Sequence, residues 1–76
     1  MPMFQIHVLN SDFDACSEID AVGLEDARHE ALRSALSIGV DEVCNGSSFF
    51  GAEVSVALDG NVSERFLVSI GQSPLR

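Results

Sequence analysis

Lysine is absent, and the only cations are Arg28, Arg33, Arg65 and Arg76 against twelve acidic residues, a formal net charge of −8 over 76 residues. Neutralising phosphates takes clustered cations, so direct binding to nucleic acid or to an anionic membrane surface is not expected. No uncharged run approaches the roughly 18 residues of a membrane span, and no basic segment opens a leader. A cytoplasmic location is expected. Cysteine is scarce too: Cys16 and Cys44 are too few for a disulfide framework, and neither belongs to a C-x-x-C pair. Two free, largely buried thiols in a reducing compartment are expected. Internal repeats, low-complexity tracts and linker-like shifts are also missing. That leaves one domain, residues 1–71, with a short loose tail over 72–76.

What is present suffices for a small core. Apolar residues make up 46% of the chain, enough to drive ordering. A chain of this length buries about 60% of its extended surface, which implies a stability of about 4–11 kcal/mol.

Met3 to Leu9 alternates, with Phe4, Ile6 and Val8 on one face, and predicts a strand. Asn10-Ser11-Asp12 punctuates it as a turn. Ala15 to Val22 alternates again. Burying Glu18 and Asp20 would be costly, so Ile19 points inward. A consistent register pairs Val8 with Ala15, Ile6 with Ser17 and Phe4 with Ile19, setting His7 opposite Cys16 with Glu18 diagonal.

From Leu24 the period becomes helical: Leu24, Ala27, Ala31, Leu32, Ala35 and Ile38 share a face, opposite Asp26, His29, Glu30, Arg33 and Ser37. Gly39 weakens the helix without ending it, and Asn45-Gly46 is the better stop. Two further alternating runs follow, Ala52 to Leu58 and Arg65 to Gly71. Their inward sets are Val54, Val56 and Leu58, then Phe66, Val68 and Ile70. Joining them by a two-residue Asp59-Gly60 turn would flip one pattern, so a three-residue loop with Asn61 left-handed is predicted. The fold class is α+β, in the order ββαββ. It is a four-stranded, mainly antiparallel sheet with one helix packed on one face. How the two hairpins adjoin is left open.

The chemistry-bearing residues point to no reaction. His7, Cys16 and Glu18, with Asp14 and Asp20 near, are ligand types that hold zinc, but no short-range spacing fixes their geometry. The plain reading is a mixed exposed strand face, so no metal and no cofactor are expected. Calcium binding from Asp12 onward fails at Cys16, Ser17 and Gly23. Ser47 and Ser48 lack a G-x-S-x-G elbow, and the glycines match no phosphate-binding pattern. His29 belongs to a helix-surface charge cluster. No catalytic residue is assigned, and the chain is not expected to be an enzyme.

Uncovered apolar surface is the more telling feature. A single helix leaves Met3, Leu9, Val22, Ala57 and Leu67 on the other side of the sheet, and Phe13, Phe49 and Phe50 in loops or at strand ends. Phe49, Phe50, Phe13 and Leu67 are therefore the candidate partner-binding residues. The plain alternative is that at least one of Phe49 and Phe50 plugs the open end of the core.

Met1-Pro2-Met3-Phe4 with Ile6-His7-Val8, then Leu24 to Ala31, Glu53-Val54 before Asp59-Gly60, and Phe66-Leu67-Val68 together resemble a family of short bacterial proteins whose domain has no assigned function. Gly23 stands where that family tends to place a capping Asp. The resemblance implies a bacterial source and supplies no functional residue. The strand–glycine–alanine-rich helix order is similar, more distantly, to HicB-like antitoxin domains, although the glycine-rich second strand and a DNA-binding segment are lacking. The expected function is a small non-catalytic interaction module that forms homo-oligomers through its sheet. The alternative is an acidic antitoxin-like or nucleic-acid-mimic subunit that masks a basic partner protein.

Overall fold

A computed structural model describes residues 2–75; Met1, which opens the resemblance, and Arg76, the end of the expected tail, lie outside the described residues. The elements are β1 (Met3–Leu9), β2 (Asp14–Asp20), α1 (Leu24–Cys44), β3 (Phe49–Leu58) and β4 (Asn61–Gly71). They form an α+β fold in the order ββαββ. All strand pairs are antiparallel, in the spatial order β2-β1-β3-β4. The two hairpins meet through β1 and β3, which resolves the adjacency that the sequence leaves open.

The first hairpin follows its predicted register, with Phe4 opposite Ile19, Ile6 opposite Ser17, His7 opposite Cys16 and Val8 opposite Ala15. Its turn is held by Asn10, whose Oδ1 accepts hydrogen bonds from the backbone N–H groups of Asp12 (2.8 Å) and Phe13 (3.1 Å). A short amide side chain bonding its own backbone is what makes asparagine a turn residue.

The helix begins at Gly23 without a side-chain cap and carries Glu25 and Asp26 in its first turn, where negative charge suits the exposed N–H groups. It buries Ala27, Ala31, Ala35 and Gly39. Four-residue spacing of small side chains draws the helix axis close to the sheet. With Phe4, Ile6, Val8, Ala21, Phe50, Ala52, Val54, Val56 and Val68, the three alanines of α1 make up the main core. Packing is chiefly onto β3 and β4. Ala15 and Ser17 of β2 lie on the helix side of the sheet yet stay exposed, and only Ile19 of that strand is half-buried.

Several expectations are corrected. The β3 strand starts at Phe49 rather than Ala52, because Phe49 and Phe50 pair with Gly71 and Ile70. Both Asp59 (φ 53°) and Gly60 (φ 82°) are left-handed, a two-residue hairpin turn, and Asn61 has no positive φ. The pattern mismatch is absorbed by a bulge instead: Ala57 faces Val62 while Val56 faces Glu64, so Ser63 is the extra residue. Both cysteines are free and exposed, not buried. Gln72, the first residue of the expected tail, is tied down. Its N–H donates to the Ser48 carbonyl (2.9 Å), and its side-chain amide donates to the carbonyls of Val43 and Ser47 (both 3.2 Å).

Candidate interaction surface

Of the four nominated partner residues, the fold separates two from two. Phe50 is buried (3% exposed), and its ring stacks on half-buried Phe13 with centroids 6.3 Å apart. This pair closes the end of the helix–sheet core, and Gly39 makes room for it. Phe49 and Leu67 face the open side of the sheet at 66% and 81% exposure. Alternation sends adjacent strand residues to opposite faces, which is why neighbouring phenylalanines have opposite fates.

The exposed pair belongs to a larger surface around β4, an edge strand. On the open face, Leu9, Phe49, Gly51 and Leu67 line a shallow depression. Gly51 keeps it low, since a Cβ there would stand 2.9 Å from the Phe49 ring. Val62 adds exposed apolar area further along the same edge. On α1, Leu32, Leu36 and Val40 line a second depression together with His29, Arg33 and Asp41. The three apolar residues continue the four-residue row begun by Arg28, whose guanidinium lies 4.5 Å from the Phe66 ring centre and donates to Glu64 of β4 (3.2 Å). That flank of α1 therefore faces β4. Sequence reasoning missed Leu36 and Val40. Their spacing from Arg28 and Leu32 was readable, but only the strand order shows that the row borders an edge.

The two edges differ in charge. Outward-facing Asp14, Cys16, Glu18 and Asp20 line β2, whose acids repel a second strand. The β4 edge has little such protection. Its Glu64 is paired with Arg28 and its Arg65 with Glu53. The hydrogen bond to Glu53, reinforced by its charge, raises the Arg65 guanidinium above its ordinary pKa. The segment Phe66-Leu67-Val68-Ser69-Ile70-Gly71 carries no charge and no proline. Such a segment on an edge offers unpaired backbone groups for another strand.

A second patch lies at the other side of the molecule. Asp20, Asp26 and Glu30 line a shallow trough with Ile19, Ala21 and Val22 between β2 and the start of α1. No helix among the described residues is long and apolar enough to cross a membrane. No protein-family model, curated protein or solved structure matches the chain.

Proposed function

We propose that the protein is a small, non-catalytic interaction module that assembles with copies of itself through β4. The observation that carries this reading is the coincidence of an uncharged edge segment, Phe66–Gly71, with exposed apolar residues on both sides of it. Leu67 and Val62 lie on the open face, and Leu36 and Val40 on the helix face. Two β4 edges paired antiparallel about a twofold axis are self-complementary, and the same operation brings the two Leu36–Val40 flanks together. A stable dimer buries about 800 Å² per partner, which a strand of eleven residues plus a helix flank can supply. The acids of β2 lie on the opposite edge, so the like charge of two subunits is kept apart.

The test is assembly mass against a single surface substitution. The wild type should run as a clean multiple of 8.1 kDa at micromolar concentration. Leu67→Lys, on an 81% exposed side chain, should keep the fold and lower the mass. A wild-type monomer at high micromolar concentration contradicts the reading, and so does a Leu67→Lys assembly as tight as the wild type.

A second reading rests on the acidic trough of Asp20, Asp26 and Glu30 together with the net charge of −8. These favour a basic partner protein, masked in the manner of an antitoxin or a nucleic-acid mimic. Salt separates the two readings. Screening weakens an acid–base complex, whereas it relieves repulsion between two acidic copies. Under either reading the protein works in a reducing, cytoplasmic setting, in keeping with its free thiols.

A further inference from the structure

The outer face of the first hairpin holds a cluster that the β4 assembly does not use. His7 of β1 lies directly opposite Cys16 of β2, and Asp14 lies two residues before Cys16 on the same face. A ring nitrogen of His7, an Asp14 carboxylate oxygen and the Cys16 sulfur all lie within 4.8 Å of one another. The sequence pointed to Glu18 as the carboxylate beside this pair. Glu18 is instead opposite Gln5, whose side-chain amide donates to it at 3.4 Å, while Asp14 contacts His7 Nε2.

We propose that His7, Asp14 and Cys16 form a three-ligand site for a borderline-soft divalent cation, zinc above all, with a water completing the coordination. Nitrogen, thiolate sulfur and carboxylate oxygen together suit zinc, whereas magnesium and calcium demand oxygen alone. Zinc bonds of about 2.0–2.3 Å place neighbouring ligand atoms about 3.3–3.8 Å apart in a tetrahedron. The Cys16 sulfur therefore needs to approach by about an ångström, while His7 Nε2 and the Asp14 oxygen, already in hydrogen-bond contact, move apart to admit the ion. Exposed side chains on fixed strands achieve this by rotation alone, since the His7 side chain is 37% exposed and that of Asp14 62%. The backbone already holds the bearing positions in register, so little order is lost on binding. Adjacent Glu18 and Asp20 add negative potential that favours a dication. As the metal binds, the Cys16 S–H proton and the proton held between His7 Nε2 and the Asp14 carboxylate leave to solvent, and Zn–S, Zn–N and Zn–O bonds replace the S–H bond, the His7–Asp14 hydrogen bond and three waters of the hydrated ion.

The site is tested on metal-free protein held reduced by a phosphine, using cobalt(II) and zinc chlorides as probes. Cobalt should bind at one ion per chain and give a near-ultraviolet thiolate-to-metal charge-transfer band, which added zinc removes and excess magnesium leaves intact. Cys16→Ser should abolish the band. Cys16→Ser and His7→Gln should each weaken zinc binding at least about tenfold, and Asp14→Asn should weaken it several-fold. Cys44→Ser should bind as the wild type does. All three ligands are outside the core, so these variants should fold normally by circular dichroism. Absence of the band and of zinc binding in the wild type would overturn the proposal. So would undiminished binding by Cys16→Ser, or loss of the band in Cys44→Ser.

Discussion

Gly39 sits in the buried stripe of α1, where a Cβ would come within 2.6 Å of the Ile70 Cδ1 and 2.7 Å of the Phe50 Cδ2. The methyl end of Ile70 can turn aside, but the Phe50 ring is held by Phe13 and the sheet. Alanine there gains about 1 kcal/mol of helix propensity and forces overpacking that costs about 1–3 kcal/mol. Gly39→Ala should therefore lower the denaturation midpoint, although propensity alone predicts a rise. The adjacent phenylalanines should behave just as unequally. Phe50→Ser removes a buried ring and should cost about 3–5 kcal/mol, much of the stability of so small a chain. Phe49→Ser should leave the fold nearly intact and weaken assembly, which denaturation and mass measurements separate. The sequence showed two adjacent aromatics and could not choose between them. The choice follows from strand pairing that begins at Phe49, earlier than the alternation from Ala52 suggested. Gly39 read as a mild defect because its partners, Phe50 and Ile70, are distant in sequence.

Among the elements, the strands and helix of the first half were legible because each apolar set obeys a single period and the charged residues can face only outward. The β1–β2 register followed from that constraint. The second hairpin was harder, because turn and bulge offer two ways to absorb one extra residue. The chain uses Ser63 for this and keeps the tight turn at Asp59-Gly60. Deleting Ser63 should therefore preserve the fold. It would remove the bulge while leaving Val56 opposite Glu64 and Val54 opposite Phe66, and amide chemical shifts of the core strands should change little. Deleting Ser69 instead would shift Ile70 and Gly71 to the opposite faces and should destabilise the end of the sheet strongly. The exposure of β2 was not legible. Its inward pattern was correct, but the helix crosses toward β3 and β4, and only the strand order β2-β1-β3-β4 shows which strand is left bare.

The whole molecule is a slab of 49 × 21 × 17 Å, with a radius of gyration of 13.6 Å against about 11 Å for a compact chain of this length. One helix on one sheet encloses little, so part of each sheet face and both edges remain for other surfaces. Charge divides that remainder. Acids gather along β2 and the start of α1, while Glu64 of β4 and Glu53 beside it are held by Arg28 and Arg65. Self-assembly should accordingly tighten as salt rises from low to physiological ionic strength, read from the concentration dependence of the mass. Residue-resolved amide exchange along β4 reads the pairing of that edge strand most directly. If β4 pairs with a second β4, its outward-facing amides between Phe66 and Gly71 should be protected, and protection should fall on dilution, while those of β2 exchange freely. Equal and rapid exchange at both edges at high micromolar concentration would contradict the account.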